Sequence, residues 1–486
     1  MSSAENLRQP PHGAPAPTAL RTALDRLRAA HLRDGPPTAE QRIDRLDRCI
    51  GLLVDNRKEL DDAVADDFGH RSRDETGFAD TMAAIASLKH ARAHVRRWIR
   101  PERRQAEFPF NILGARAEIH YQPLGVVGVI APWNFPIVLT FAPLAGIFAA
   151  GNRAMIKPSE FTPATSSQMA RMFSSVFSED EIYVATGGPD VGEEFSRLAF
   201  DHLLFTGATS VGRKVMRAAA ENLVPVTLEL GGKSPVIIGT SAPMADTATK
   251  IAAGKLMNAG QICLAPDYVF VPQEKVEAFV SAIRTAAARL YPTIKNNPDY
   301  TAIINQRHFE RLKSHIDDAR RKGAQLIEIN PAQEDLSQQE HRKLPLTIAL
   351  NPTDDMKIMQ EELFGPILPI KTYSSVDESI AYINAHERPL GLYYFGTDSA
   401  ERSHILKHTV SGGVTINDVI MHVAQEDLPF GGVGQSGMGA YHGIDGFKTF
   451  SHARAVYTQA KTDLGALLRP PYSNRMRKLV AGRIKR

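Results

Sequence analysis

The sequence predicts an α/β protein with two successive domains, the first built on a Rossmann-like parallel sheet. Its 486 residues exceed what one typical hydrophobic core organises, so more than one domain is expected. Between residues 154 and 230, short apolar strands alternate with helical segments, as in a parallel sheet with crossover helices. A second alternating block covers residues 245–372 and predicts a second α/β domain.

The N-terminal segment, from Thr18 to about Arg100, is predicted to be helical. Leu46, Ile50 and Val54 recur at intervals of four residues, which is the spacing of one helix face. Residues 115–129 have the apolar pattern of strands instead. Helices are therefore expected to precede the first sheet.

In the first alternating block, Thr162 is predicted to cap a helix that begins at Pro163 and ends near Val176. The other predicted elements of this block are strands at 154–156, 182–185, 202–205 and 224–230 and helices at 191–198 and 211–220. The second block is predicted to contain helices at 245–257, 273–290 and 306–323 and strands at 268–271, 326–329, 346–350 and 367–372.

Composition and charge exclude several classes of protein. The chain has 57 basic and 54 acidic residues, and a net charge of +3 gives no reason to expect a nucleic-acid partner. Hydrophobic residues at 43% and charged residues at 23% are typical of a soluble globular protein. Cys49 and Cys263 are the two cysteines, too few for a disulfide framework, so we expect a reducing, cytoplasmic location.

Both ends of the chain are predicted to be peripheral. Residues 1–17 are rich in Ala, Pro and Ser, which predicts a disordered arm and not a secretory signal. Residues 463–486 form a basic tail that carries Leu479, Val480 and Ile484. This tail is either solvated or in weak peripheral contact with an acidic membrane surface. Stable membrane insertion is not expected, because the sequence has no apolar stretch of membrane-spanning length.

Cys263 is the first candidate for chemistry. It lies in the segment Asn258–Pro266, between a predicted helix and a predicted strand, and loops on a rigid scaffold commonly carry catalysis. A thiolate at this place can attack a carbonyl carbon. A lone cysteine is more often a small buried hydrophobe, as Cys49 beside Ile50 in a helical pattern illustrates. Other residues must therefore decide whether Cys263 is a catalytic nucleophile or a buried structural cysteine.

Two polar residues provide that distinction. Glu229 stands among apolar residues at the end of a predicted strand, where desolvation would raise its pKa and make it a base. The alternative is a structural ion pair between Glu229 and Lys233. Asn134, held between Pro132 and Pro136, can donate a hydrogen bond to a developing oxyanion. The alternative there is an Asn that satisfies its own turn.

A dinucleotide site is predicted at the carboxyl ends of two strands. Lys157 and Glu160 follow the first strand of the alternating block, where a carboxylate and a lysine can bind ribose hydroxyls. Gly207 follows the strand 202–205 and Gly212 lies in the helix that comes next. This arrangement can place a pyrophosphate at a helix N-terminus.

Two other patterns are rejected as sites. A literal GxGxxG occurs at Gly432, Gly434 and Gly437, but no buried strand precedes it and no helix follows directly, so it is interpreted as a glycine-rich loop. His90 and His94 have helical spacing without a nearby third ligand, so no metal site is expected.

Together the motifs resemble the aldehyde dehydrogenase superfamily over nearly the whole chain. The matching segments are Pro132–Pro136, Lys157–Glu160, Phe205–Gly212, Glu229–Pro235, Gly260–Cys263, Glu361–Pro366 and Pro429–Gly439. Within the superfamily the chain resembles the class 3 branch through the segments Gln261–Tyr268, Pro298–Tyr300, Asn305–Phe309 and Gly431–Gly443. The segment Ile119–Gly125 is most similar to bacterial coniferyl aldehyde dehydrogenases.

The resemblance implies NAD(P)-dependent oxidation of an aldehyde to a carboxylic acid. Cys263 would be the nucleophile that forms a thiohemiacetal and then a thioester. Asn134 and the Cys263 backbone N–H would form the oxyanion hole, and Glu229 would activate the hydrolytic water. Glu229 argues for water as the acyl acceptor, yet a coenzyme A-acylating dehydrogenase and a non-catalytic structural protein remain alternatives.

The resemblance also implies a cofactor site for NAD, with NADP as an alternative. Its expected residues are Trp133, Lys157, Glu160, Gly207, Thr209, Ser210, Gly212, Glu362 and Phe364. Lys157 and Glu160 would bind the adenosine ribose, while Glu362 would hold the nicotinamide ribose. Many relatives have Ser in place of Ala208, so one contact to the pyrophosphate is expected to be absent here.

The family architecture further implies a small bridging sheet and a homodimer. The expected domains are an NAD(P)-binding domain at 18–106 and 123–231, a catalytic domain at 232–430 and bridging segments at 107–122 and 440–462. The substrate is expected to be an aromatic aldehyde such as coniferaldehyde or a medium-chain aliphatic aldehyde. Phe110, Tyr121 and Trp133 either line an aromatic pocket or belong to the core.

Overall fold

The computed structural model describes residues 18–463, 465–466 and 469–484, so the predicted arm at residues 1–17 lies outside the described residues. The helices are α1 (Ala19–Asp34), α2 (Ala39–Asp55), α3 (Arg57–Phe68), α4 (Arg73–Glu75), α5 (Met82–Trp98), α6 (Val138–Ala150), α7 (Pro163–Val176), α8 (Pro189–Ser196), α9 (Thr209–Ala220), α10 (Met244–Leu256), α11 (Val276–Leu290), α12 (Gln306–Arg321), α13 (Lys357–Gln360), α14 (Val376–Asn384), α15 (Ser399–His408), α16 (Gly443–Thr449) and α17 (Asn474–Arg483). A π-helical segment, Thr76–Thr81, joins α4 to α5.

The strands form three separate sheets. They are β1 (Glu102–Arg104), β2 (Arg116–Pro123), β3 (Val126–Ile130), β4 (Arg153–Lys157), β5 (Ile182–Val184), β6 (His202–Gly207), β7 (Val226–Leu230), β8 (Pro235–Ile238), β9 (Tyr268–Pro272), β10 (Gln325–Ile329), β11 (Leu346–Leu350), β12 (Ile367–Tyr373), β13 (Gly391–Phe395), β14 (Gly413–Ile416), β15 (Gly437–Met438) and β16 (Ser451–Thr458). The predicted α/β class is confirmed.

The first sheet has the order β15-β7-β6-β3-β4-β5. All its neighbouring strands are parallel except β15, which runs antiparallel to β7. The parallel strands are almost fully buried, as expected when helices cover both faces of a sheet. Their carboxyl ends define one edge, which is where ligands bind in open α/β sheets.

The second sheet has the order β10-β11-β12-β9-β8-β13-β14, and its strands lie between residues 235 and 416. Only β10 is antiparallel to its neighbour. The strands β8, β13 and β14 were not predicted from the sequence. They are short apolar runs of four or five residues, and such runs lack the alternation that identifies a strand.

The third sheet is antiparallel, with the order β1-β2-β16. Strand β2 pairs with β16 over eight residue pairs, from Ser451–Pro123 to Thr458–Arg116. Strand β1 pairs with β2 as well, although the sequence placed its residues in the NAD(P)-binding segment 18–106. Strand β16 is the outer edge of this sheet.

Helix α6 is absent from the sequence predictions because it is apolar on every side. Eleven of its thirteen residues are buried, from Thr140 to Ala150, so the segment shows no amphipathic period. The α6 helix packs against α5 and α16 at the centre of the largest hydrophobic cluster. A helix surrounded by protein has no polar face from which its period can be recognised.

The start of α7 corrects another prediction. Thr162 occupies the position before the helix, but its hydroxyl donates to the Ser159 carbonyl at 3.5 Å and does not cap. The Asp67 carboxylate at the end of α3 accepts instead from the backbone N–H groups of Ala164 and Thr165, at 2.9 and 2.8 Å. A side chain about a hundred residues away thus satisfies the free N–H groups of this helix.

The C-terminal tail contains the helix α17, which has no buried residue. Leu479 and Ile484 are exposed, and Val480 is half-buried. Within the part of the chain that the structure describes, no helix combines the length and apolarity that a membrane crossing requires.

Candidate active site

Three of the sequence-predicted residues line one cavity. Cys263, Glu229 and Asn134 border a space of about 860 Å³ between the first sheet, helix α5 and the loop that follows β14. The remaining wall is mostly apolar and includes Phe78, Met82, Phe135, Val138, Leu139, Ile262, Tyr291, Val419, Ile420, Val423, Phe430 and Tyr441. A nucleophile, a carboxyl group and an amide therefore face a pocket that excludes much water.

Cys263 follows a tight turn whose backbone is left-handed at three successive residues. Asn258, Ala259 and Gly260 have φ values of 48°, 50° and 75°. A Cβ on Gly260 would lie 2.5 Å from the Gly365 carbonyl oxygen, so this turn requires glycine. Burial, together with the charges of Glu362 and Glu229, raises the pKa of the Cys263 thiol to about 12. The resting thiol is thus protonated and needs a base.

Glu229 lies on β7 and is only 3% exposed. Among the described residues, neither of its carboxylate oxygens has a hydrogen-bond partner. Burial raises the pKa of this carboxyl well above its usual value. The alternative ion pair with Lys233 is wrong, because Lys233 binds the Asp267 carboxylate and the backbone carbonyl of Ile358.

The glycine-rich segment that contains GxGxxG lies against Glu229. Gly437 pairs with Glu229 in the antiparallel contact between β15 and β7, and the Leu230 N–H donates to the Ser436 carbonyl at 3.0 Å. A Cβ on Gly437 would come 2.1 Å from the Leu228 carbonyl oxygen, at a φ of 143°. This segment therefore positions the strand that carries Glu229, a role that the sequence did not reveal.

Asn134 is held by a buried network and not by its own turn. Its side-chain Nδ2 donates to the Gln261 carbonyl at 3.2 Å, which leaves the second amide hydrogen free. Its backbone carbonyl accepts from Arg71 Nη1 at 2.8 Å and from Asn258 Nδ2 at 3.0 Å. The Asn258 N–H in turn donates to the Glu75 carboxylate at 3.0 Å.

Arg71 and Glu75 were missed by the sequence analysis. Arg71 is fully buried, and its guanidinium also faces the carboxylates of Glu75 at 3.7 Å and Asp80 at 4.0 Å. These residues lie on and beside the short helix α4, more than fifty residues before Asn134. No local pattern connects them to the site, because the contacts exist only after the helical segment packs on the sheets.

The residues expected to bind the adenosine ribose lie at the carboxyl end of β4. Lys157 is buried, and its Nζ donates to the Pro158 carbonyl at 2.6 Å and to Glu160 Oε2 at 3.1 Å. Glu160 itself is exposed. The pair thus presents a carboxylate and an ammonium group at the edge where open α/β sheets bind ligands.

The helix α9 begins at Thr209, two residues after Gly207, the last residue of β6. Ala208 precedes the helix and provides no side-chain cap, while Thr209 Oγ1 donates to the Gln435 carbonyl at 3.4 Å and Ser210 is exposed. A Cβ on Gly212 would lie 2.6 Å from a Leu230 methyl carbon, so glycine allows the helix to pack closely on β7. An uncapped helix N-terminus of this kind suits a phosphate group.

Glu362, Phe364 and Trp133 are the remaining residues expected to bind the cofactor. The rings of Trp133 and Phe364 meet edge to face with centroids 5.3 Å apart, and Phe364 has a φ of 48°. Glu362 Oε1 is buried without a hydrogen-bond partner among the described residues, and burial raises the pKa of this carboxyl to about 8. A cradle for Glu362 exists because Gly231 lacks a Cβ, which would lie 1.9 Å from Oε2.

These features fit a dinucleotide. The unpartnered Glu362 oxygen can accept a hydrogen bond from a ribose hydroxyl, and the uncapped start of α9 can bind a pyrophosphate. In contrast, the described residues contain no group of three or more His, Cys, Asp or Glu side chains arranged to hold a metal ion.

The three aromatic residues considered for an aromatic pocket do not border the cavity. Tyr121 packs against Phe447, with ring centroids 5.5 Å apart, and Trp133 packs against Phe364. Phe110 lies against a small separate cluster of alanines. The aromatic wall comes from other residues, whose spacing in the sequence gives no sign that they meet.

The α/β fold, the cavity that holds a thiol, and a set of groups that fit a dinucleotide are together those of a dehydrogenase that works by covalent catalysis. Residues 17–456 match the aldehyde dehydrogenase family. The chain belongs to this family and catalyses NAD(P)-dependent aldehyde oxidation.

Known proteins agree with this assignment. The chain is 60% identical to a probable coniferyl aldehyde dehydrogenase from Caulobacter vibrioides, with 100% of both chains covered. It is 37% identical to aldehyde dehydrogenase family 3 member B1 from Rattus norvegicus, over 93% of this chain and 94% of that protein. A substrate-bound AldH from Staphylococcus aureus has a similar structure, with a TM-score of 0.90, 34% identity and coverage of 96% of this chain and 99% of that chain. The predicted resemblance is confirmed.

Proposed function

We propose that this enzyme oxidises aromatic aldehydes such as coniferaldehyde, and also medium-chain aliphatic aldehydes, through a thioester on Cys263. The observation that carries the proposal is the single cavity shared by Cys263, Glu229 and Asn134. Its apolar and aromatic wall suits an extended aromatic aldehyde, and a relative that is 60% identical is named as a probable coniferyl aldehyde dehydrogenase.

The first half-reaction forms the thioester. Glu229 takes the proton of the Cys263 thiol, and the sulfur adds to the aldehyde carbon to give a thiohemiacetal oxyanion. The free Asn134 amide hydrogen and the Cys263 backbone N–H donate to this oxygen. Bound NAD(P) supplies the hydride acceptor. Loss of hydride from the thiohemiacetal carbon leaves the acyl group on the Cys263 sulfur.

The second half-reaction releases the acid. Glu229 removes a proton from water, whose oxygen attacks the thioester carbon, and collapse of the tetrahedral intermediate breaks the carbon–sulfur bond. The raised pKa of Glu229 makes it a stronger base than an exposed carboxylate. Its free carboxylate oxygens are available for a water molecule, which supports hydrolysis over transfer to coenzyme A.

The proposed cofactor contacts separate into three groups. Lys157 and Glu160 bind the adenosine ribose, and Trp133 and Phe364 pack beside the nicotinamide end. The start of α9, with Gly207, Thr209, Ser210 and Gly212, binds the pyrophosphate through its N–H groups. Glu362 accepts from the nicotinamide ribose. NAD is the preferred cofactor in this proposal, because the Glu160 carboxylate repels a 2′-phosphate.

A pair of cysteine variants tests the chemistry. Cys263→Ala should abolish NAD(P)H production from coniferaldehyde, while Cys49→Ala, which removes a buried thiol outside the site, should retain it. Glu229→Gln should slow the burst of NAD(P)H that accompanies thioester formation and should slow the following steady state, which requires hydrolysis, still more. Normal turnover by Cys263→Ala would refute the mechanism, and coenzyme A-dependent acyl thioester as the product would support the acylating alternative.

A substrate screen tests the specificity. We expect the highest kcat/KM for coniferaldehyde among coniferaldehyde, benzaldehyde and hexanal, each measured with NAD and with NADP. A strong preference for hexanal would refute the aromatic assignment without affecting the role of Cys263.

We also propose that the enzyme is a cytoplasmic homodimer. The outer edge of β16 has backbone groups without a partner strand among the described residues, and Tyr457 on this strand is exposed. Such an edge is a template for pairing with another chain. Light scattering after size-exclusion chromatography should give twice the chain mass at micromolar concentration, and a monomer would contradict the proposal.

The tail helix α17 is proposed to make weak contact with an acidic membrane surface. It carries Arg475, Arg477, Lys478 and Arg483 together with the exposed Leu479. Cosedimentation with phosphatidylserine vesicles, but not with phosphatidylcholine vesicles, should be lost at high salt and in a Lys478→Glu variant. Equal sedimentation with both vesicle types would exclude an electrostatic contact.

A further inference from the structure

The cavity has a second polar position besides the one around Cys263. Ser87 on α5 and Glu426, in the loop between β14 and β15, both border the cavity wall. The Ser87 hydroxyl donates to Glu426 Oε1 at 2.5 Å, and Glu426 Oε2 has no hydrogen-bond partner among the described residues. An acceptor oxygen thus remains available within a pocket whose wall is otherwise mostly apolar.

The other carboxylates on the cavity wall either accept hydrogen bonds from other groups or are exposed to solvent. Glu75 accepts from the Asn258 N–H and the Thr301 hydroxyl, and Asp418 accepts from the Val419 N–H. The side chains of Asp74 and Asp299 are exposed to solvent. Asp418 and Glu426 are thus the half-buried carboxyl groups on this wall. Asp418 accepts from the N–H of its own neighbour in the chain, whereas one Glu426 oxygen accepts from a side-chain hydroxyl on a different helix, which fixes its position in the wall.

The backbone holds Glu426 in place. Gly443 has a φ of 49°, and a Cβ there would lie 2.2 Å from the Glu426 carbonyl oxygen, so the two segments touch at their backbones. His442, the residue before Gly443, also borders the cavity and packs its ring against Phe430 with centroids 5.1 Å apart. Glu426 is thus fixed by backbone contact on one side and by the Ser87 hydroxyl on the other.

Tyr441 connects the two polar positions. Its side chain is buried in the cavity wall, and its pKa is raised by burial and then by the charges of Glu229, Cys263 and Glu426. The charges of the reacting groups and of Glu426 therefore act on the same phenol, that of Tyr441. Both polar positions border the same cavity of about 860 Å³, which can hold an extended aromatic aldehyde.

We propose that Glu426, positioned by Ser87, accepts a hydrogen bond from a ring hydroxyl of the substrate and selects 4-hydroxyaryl aldehydes over their O-methylated counterparts. The inference rests on the proposed oxidation of aromatic aldehydes. An apolar wall binds aromatic rings of similar size about equally well, whereas a positioned acceptor distinguishes a hydroxyl from an ether. Burial of the aryl ring would leave the hydroxyl without water, so this acceptor replaces the lost hydrogen bond.

The test compares coniferaldehyde with 3,4-dimethoxycinnamaldehyde, which differs only in methylation of the ring hydroxyl. The wild-type enzyme should prefer coniferaldehyde by about tenfold or more in kcat/KM, the order expected for a hydrogen bond to a charged or strongly polar partner. Glu426→Leu should reduce the ratio to near one, and Glu426→Gln, which keeps a carbonyl acceptor, should give an intermediate ratio. Asp427→Leu, the same kind of change at the exposed neighbour, should keep the wild-type ratio.

Hexanal provides the internal standard, since it has no ring hydroxyl. Each variant should retain its kcat/KM for hexanal, which separates recognition from folding. If Glu426→Leu does not fold, Glu426→Gln and Ser87→Ala still test the ratio. A wild-type ratio near one, or an unchanged ratio in the folded Glu426 variants, would overturn this inference alone. Turnover of hexanal without turnover of either aromatic aldehyde would overturn the proposed oxidation of aromatic aldehydes as well.

Discussion

Glu362 offers the sharpest quantitative prediction, because its buried carboxyl opposes folding until a ligand binds. Burial raises the pKa of this group from 4.5 to about 8. Between these values the unfolded chain is ionised while the folded protein keeps the proton, so stability falls as pH rises through this window. At about 1.36 kcal/mol per pKa unit, the cost above pH 8 has an upper bound of about 5 kcal/mol.

Glu362→Gln removes the titration and should stabilise the protein without cofactor. Water reaches part of this side chain, so we expect a gain of about 2–5 kcal/mol at pH 8 that shrinks towards zero near pH 4.5. Thermal unfolding of both proteins across this pH range measures the difference in stability between the variant and the wild-type protein. Glu361→Gln is the matched control, because this neighbouring side chain is 52% exposed.

Binding of the cofactor should reverse the order of stability of the wild-type protein and the Glu362→Gln variant. NAD added to the wild-type protein should raise its Tm, because a ligand that binds only the folded state stabilises it. The Glu362→Gln variant should respond less, since it loses the carboxylate that we propose for the ribose hydroxyls. A Glu362→Gln variant that is no more stable than wild type at every pH would refute this reasoning.

Three further predictions concern thiols, the glycine-rich segment and a helix cap. Iodoacetamide should label one thiol per native chain, Cys263, and two in denaturant. The labelling rate should rise about tenfold per pH unit from pH 7 to 10, because the pKa of Cys263 is about 12 and Cys49 is fully buried. Gly437→Ala should lower both kcat and Tm, since its Cβ would collide with the backbone of β7. Gly434→Ala should cost less, because its Cβ would lie 3.6 Å from the Arg388 side chain. Asp67→Ala should lower the free energy of unfolding by about 1–2 kcal/mol in urea titrations, because the start of α7 loses its cap.

The sequence by itself determined the α/β class and most strands of the first sheet with the helices between them. It also indicated Cys263, Glu229 and Asn134 as candidates for chemistry. These were accessible because their signals are local. An alternating apolar pattern identifies strands, and an odd residue type in an apolar context marks a candidate for chemistry. The resemblance to aldehyde dehydrogenases then connected motifs that lie far apart in the chain.

Only the tertiary structure decided what surrounds these residues. Whether Glu229 pairs with Lys233 depends on Asp267, which competes for the lysine from another loop. Similarly, Arg71 holds Asn134, and the glycine-rich segment at Gly437 positions the Glu229 strand. Such contacts join residues far apart in sequence, and they depend on packing geometry that no local pattern encodes.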